Sequence, residues 1–217
     1  MTLKPIAWAI GGCAWLAMTV AGMALLMSYD NQPGRAAHAP QQWPDASRLR
    51  RDASTQTLIM LVHPKCDCTR ASLAELEELL ARVHDRPTTY VVFIKPGRVP
   101  GGWQRTSLWA KAERLPGVTV ITDENGREAD RFGAWTSGQT LLYDRAGVLR
   151  FSGGITGARG KTGDNVGRQS LVDWLNGAAD AHGGTPVFGC SLFGPADERQ
   201  ASPADAPEAA ETHHHES

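Results

Sequence analysis

The chain has almost no net charge, with 22 Lys and Arg against 23 Asp and Glu, and no run of basic residues interleaved with aromatics. That combination leaves no nucleic-acid footprint. No internal repeat and no phosphate-binding P-loop are visible, which argues against a solenoid or a nucleotide-triphosphate enzyme. Cysteine is scarce: four residues, at 13, 66, 68 and 190, in a chain of 217. Four are too few to staple a fold of this length, so its core has to come from packing. A hydrophobic content of 41% with 21% charged residues is ordinary for one globular domain with appendages.

What the chain lacks most locally is charge between Ile6 and Met27, a run of about 22 residues. At roughly 1.5 Å per residue such a helix crosses a ~30 Å hydrocarbon layer. We read residues 1–28 as an N-terminal transmembrane anchor. Lys4 precedes the run and Asp30 follows it, a bias that leaves the N-terminus inside and exports the remainder. A cleaved signal peptide is the alternative, with Ala37-His38-Ala39 as its small-residue site. Cys13 lies inside the span and reads as a small lipid-tolerated residue. Residues 29–54 carry Pro33, Gly34, Pro40 and Pro44, which is linker chemistry, although Trp43 offers a ring to dock on a domain.

The domain, residues 55–193, is organised around TLIMLVHPKCDCTRASLAELEELL, Thr57 to Leu80. Leu58 to Val62 is a short unbroken apolar run of the kind a strand covered on both faces shows, whereas Leu73, Leu76, Leu79 and Leu80 recur at helical spacing. Pro64 ends the strand, Thr69 or Asp67 is placed to cap the helix, and Cys66 and Cys68 sit at the seam. First-turn amides direct partial positive charge there and favour thiolate over thiol. The bland alternative is that both thiols only fill space at a helix start. Thr88 to Ile94 reads as a second, parallel strand, Trp103 to Leu115 as a helix, and Gly117 to Thr122 as a third strand. Asp123 to Phe132 reads as a short helix. Gln139–Tyr143 and Val148–Phe151 flank a turn of hairpin length, and Asn165–Ala181 reads as a last helix capped by Asp164. Residues 194–217, rich in Ala, Pro and acid, read as a disordered tail whose three histidines at 213–215 are a native end or a shortened tag.

A strand, then x-Pro-x-Cys, then a helix resembles the active-site corner of the thioredoxin-like superfamily, and the element order β-α-β-α-β-α-β-β-α is similar to that fold with an inserted helix. The resemblance implies an α/β fold with a central mixed sheet flanked by helices. His63-Pro64-x-Cys66-x-Cys68-Thr69-Arg70, Ser137-Gly138, Phe151-Ser152-Gly153-Gly154-Ile155-Thr156 and Phe188-Gly189-Cys190 together resemble the RedB-type thioredoxin-like proteins of bacteria, across roughly residues 55 to 193. The chain departs from the superfamily in two places. The motif is C-x-C, with Thr69 where a resolving cysteine would stand. Gln139 occupies the place of the proline that faces the active cysteine, so a trans Ser137-Gly138-Gln139 is expected, with those three residues contacting the substrate backbone.

The resemblance implies a thiol–disulfide oxidoreductase tethered to the cytoplasmic (inner) membrane with its domain on the periplasmic side, needing no cofactor and working on a protein thiol or disulfide. Cys66 would attack, and Cys68 or Cys190 would resolve. A Cys66–Cys68 ring is small and strained, whereas Cys190 can reach the corner if the segment after the last helix folds back, to within ~10 Å. A binding protein is the competing class, with His63, Cys66, Cys68 and Cys190 as a soft-metal set for copper. The glycine-rich Phe151–Arg168 stretch reads either as a surface loop or as a lid beside the cysteines, with Arg159, Lys161 and Arg168 near an anion.

Overall fold

The computed structural model describes residues 3–178 and 181–194, so the reading of a disordered tail falls almost wholly outside the described residues. Ten elements follow one another. They are α1 (Leu3–Asp30), β1 (Thr57–Val62), α2 (Asp67–Arg82), β2 (Thr88–Lys95), α3 (Ser107–Glu113), β3 (Val118–Glu124), α4 (Arg127–Arg131), β4 (Gln139–Tyr143), β5 (Leu149–Gly153) and α5 (Val166–Leu175). The five strands form one sheet in the order β3-β2-β1-β4-β5. β1, β2 and β3 run parallel, and β4 and β5 are antiparallel additions. A β-α-β unit whose first strand is central, joined to a hairpin and a closing helix, is the thioredoxin-like fold.

Register explains why β1 is apolar from Leu58 to Val62. Leu58, Met60 and Val62 face a core shared with Leu73, Leu76 and Leu79 of α2, Leu108 and Trp109 of α3, and Leu171 of α5. Ile59 and Leu61 face the other side, with Phe132, Leu141, Tyr143 and Leu192. A strand buried on both faces has no solvent-facing side to favour polar residues at every second position, so alternation disappears.

The second face is closed by the segment read as a linker. Trp43 packs edge-on against Phe132 at 5.2 Å and against Tyr143 at 5.3 Å between ring centroids. The Tyr143 hydroxyl donates to the Pro40 carbonyl at 2.9 Å, and Leu49 is buried. Backbone pairing completes the attachment: His38 N–H donates to Gly133 O, Trp43 N–H to Gly147 O, and Leu149 N–H to Gln41 O. Proline and glycine keep this stretch out of regular structure but leave carbonyls and amides free to bond the domain. It is a strap along the sheet, and Trp43 docks as its ring suggested.

Helix ends differ from expectation for local reasons. α3 begins at Ser107 because Thr106 caps it, its Oγ1 accepting from Leu108 N–H. α4 begins four residues later than expected, since Asp123 stays in β3 and its carboxylate accepts from the Glu128 and Ala129 amides. α5 is capped by Asn165, whose Oδ1 accepts from Arg168 N–H at 2.8 Å, not by Asp164. Asp164 instead accepts from Arg168, whose guanidinium also meets buried Glu75. α5 stops at Leu175, where Gly177 takes a φ of +91°.

Within α1, Ile10–Asp30 is long and apolar enough to cross a membrane, with a mean hydropathy of 1.8 over its best window and no part of that window buried by the rest of the chain.

Candidate active site at the cysteine corner

β1 ends at Val62, and His63–Lys65 turn the chain into α2. Cys66 is the N-cap residue, in extended conformation with φ −100° and ψ 120°. Being outside the helix frees its sulfur to turn back over the first-turn amides. Neither Asp67 nor Thr69 caps the helix. Thr69 serves another purpose: its hydroxyl bonds the His63 carbonyl at 3.0 Å and lies 3.0 Å from Ser137 Oγ, which accepts from His63 N–H at 2.9 Å. These bonds staple the cysteine turn to the loop before β4.

That loop continues the sheet. Gly138 N–H donates to Leu61 O at 2.8 Å, and Gly138 adopts a φ of +93°, which strains any residue with a side chain. The peptide bonds here are trans. Ser137, Gly138 and Gln139 are all buried. What covers Ser137 is the chain after α5: Ser137 N–H donates to Cys190 O at 2.8 Å, Leu192 N–H donates to Trp135 O, and Thr136 pairs with Ser191 in an antiparallel bridge. Gly189 lies so close that a Cβ there would stand 2.0 Å from the Ser137 carbonyl.

This backbone pairing carries Cys190 to the corner. Its Sγ lies 2.9 Å from Cys66 Sγ, across a separation of 124 residues. Cys66 is buried, with 1% of its surface exposed, while Cys190 is exposed and Cys68 half-buried. The sulfur read as the attacking one therefore lies beneath Cys190 at the helix start.

The three thiols have different acidities. Burial pushes the Cys66 thiol up, but the Cys190 side chain and the amides of Cys190, Cys68 and Thr69 hydrogen-bond its thiolate and hold it below the ordinary value. Burial and the neighbouring Cys66 push Cys190 up to about 12. Burial, then Cys66, also raise Cys68, against which Arg159 and the Gly160 amide act. Cys66 is thus the more acidic thiol of the pair and Cys190 the less acidic.

The metal set is not assembled. His63 Nδ1 accepts from Lys65 N–H at 3.2 Å, and its ring meets Trp103 edge-on at 5.5 Å. Burial, then Lys65, lower its pKa. Among the described residues no three His, Cys, Asp or Glu side chains are placed to hold a metal ion. Of the basic residues in the glycine-rich stretch, Arg159 stands by the cysteines, its Nη1 donating to Gly189 O at 2.7 Å. Arg168 is committed to Glu75. Arg35 and Trp135, beside Cys190, were not legible in the sequence, because Arg35 stands in a stretch with no periodic pattern.

No family model matches the chain, and no curated protein matches it. Among solved structures, an uncharacterized conserved protein from Geobacillus kaustophilus shares 18% identity at a TM-score of 0.55, covering 76% of this chain and 94% of its own. A hypothetical protein from Sinorhizobium meliloti 1021 shares 18% identity at 0.52, covering 74% and 97%. The exposed lipoprotein thioredoxin of Streptococcus pneumoniae shares 15% identity at 0.41, covering 56% and 83%, a likeness too distant to carry an argument. What the comparisons establish is the fold, and the function rests on the geometry of the thiols.

Proposed function

We propose that this protein is a membrane-tethered thiol–disulfide oxidoreductase of the RedB type, whose redox couple is Cys66 and Cys190. The observation that carries the reading is the 2.9 Å approach of the two sulfurs. The lowered pKa of Cys66 supports it, since a more acidic thiol is a better leaving group in exchange. The apolar α1 supports the anchor, and the charge bias around it supports a domain on the periplasmic side, where disulfides persist.

In the oxidised form Cys66 and Cys190 share a disulfide. A partner thiolate attacks the exposed Cys190 sulfur, a mixed disulfide forms there, and the bond to Cys66 breaks with its electron pair going to Cys66. Attack on Cys66 is disfavoured by its burial. A second thiolate then releases the partner as a disulfide and leaves Cys190 as a thiol. The reverse sequence reduces a partner disulfide and regenerates the Cys66–Cys190 disulfide. Cys68, raised in pKa and half-buried, stays outside the cycle.

The test is peptide mapping of the full chain purified in detergent and equilibrated in glutathione buffers. A reversible Cys66–Cys190 disulfide, lost in Cys190→Ser and retained in Cys68→Ser, is expected. A disulfide mapping to Cys66–Cys68, or none at any poise, overturns the assignment.

A further inference from the structure

Beside Cys190 the surface opens into a cavity of about 340 Å³, lined by Tyr29, Gly34, Arg35, Trp135, Thr136, Arg159, Gly189, Cys190 and Ser191. Two guanidinium groups border it. Arg35 lies over the Trp135 ring with its Cζ 4.0 Å from the ring centroid. Arg159 lies over Tyr29 at 5.0 Å, donates through Nη1 to Gly189 O, and keeps a buried Nε with no hydrogen-bond partner. Among the described residues neither arginine has a carboxylate within ion-pair distance, although six other salt bridges are formed. Two positive charges left without counter-charges, held by aromatic faces in a concave site, suit an anionic ligand. The volume lies at the lower end of small-molecule sites.

We propose that the cavity binds the carboxylate of a small acidic thiol or its disulfide, and presents that molecule's sulfur to Cys190. This rests on the Cys66–Cys190 couple and names its substrate class. With the protein oxidised, the bound thiolate attacks Cys190 Sγ, the Cys66–Cys190 bond breaks, and Cys66 departs as the thiolate. A second molecule of the same thiol attacks the first one's sulfur, a symmetric small disulfide leaves, and Cys190 takes a proton from water. Two small thiols lose two electrons and the protein disulfide gains them. The reduced protein runs the same steps backwards with the small disulfide.

The experiment follows oxidation of the reduced full chain, in neutral detergent, by three symmetric disulfides: dithiodipropionate (anionic), hydroxyethyl disulfide (neutral) and cystamine (cationic). Each rate is divided by that of the same disulfide with a free thiol. The anionic compound is expected to lead the neutral one by about tenfold, the cationic one to trail, and added salt to compress the series. Arg35→Gln combined with Arg159→Gln should collapse the preference, and Arg35→Lys should retain it. Equal normalised rates, or a preference that survives the double substitution, overturn the cavity's role while leaving the couple standing. Failure of all three disulfides to oxidise Cys66 and Cys190 overturns the couple itself, and the cavity's role with it.

Discussion

At the residue scale, the chemistry depends on which sulfur holds the negative charge. Cys66 is both the more buried and the more acidic of the pair, because the groups that bury it are hydrogen-bond donors: the Cys190 thiol, the Cys190 amide and the first-turn amides. Replacing Cys190 with valine keeps the cover and removes the thiol donor. A hydrogen bond to a charged group is worth about 1.5–3 kcal/mol, and each pKa unit corresponds to about 1.4 kcal/mol. The Cys66 midpoint, read from thiolate absorbance at 240 nm, should rise by roughly one unit in Cys190→Val, and an unchanged midpoint would show that the amides alone suffice. The sign carries into stability. A depressed thiol stabilises the reduced fold fully above its unfolded value of 9.0 and loses that contribution as pH falls through the folded value. Cys190, raised to about 12, opposes this only as pH rises above 9.0.

At the element scale, the position of Cys190 is set by backbone pairing of the segment after α5 against the loop before β4. Gly189 makes that approach possible, and Gly154 similarly accepts the close packing of Gly167, where a Cβ would meet the Gly154 carbonyl at 1.9 Å. Gly189→Ala touches neither cysteine, yet its methyl collides with the Ser137 carbonyl and has to push the segment outward. We expect the Cys66–Cys190 disulfide to become at least tenfold easier to reduce in a glutathione titration, since about 1.4 kcal/mol of strain is already tenfold in an equilibrium constant. Retention of the wild-type midpoint would mean that the segment is free to shift without consequence. The helix itself was readable from leucine spacing. Its cap was not, because capping preference cannot tell Thr69 bonding backwards to His63 and Ser137 from Thr69 bonding its own helix.

At the scale of the whole molecule, the sheet has α2, α3 and α5 on one face and the strap with the short α4 on the other. The helical face needs nothing from outside the domain, whereas the second cluster counts Leu49, Ala39 and Trp43 of the strap among its members. Trp43→Ala should therefore destabilise the domain by about 2–3 kcal/mol, somewhat below the 3–5 kcal/mol of a fully buried aromatic because Trp43 is only half-buried. Urea unfolding of the full chain in detergent measures this. A change under 0.5 kcal/mol would return residues 33–51 to the role of a passive tether.

By itself the sequence determined the order of elements, the doubly covered central strand and the cysteine corner at its carboxyl end. Each is a local pattern: an apolar run, a leucine spacing, a proline that breaks a strand. It also marked the apolar α1 and singled out Cys190 as a thiol in need of an explanation. The tertiary structure decided which partner Cys66 has, which sulfur is exposed and where Arg35 stands. Those are contacts across 124 residues in one case and between a patternless strap and a distant turn in the other. Such contacts are set by how the strap and the chain after α5 pair their backbones with the sheet, and backbone amides carry no signature in the order of side chains.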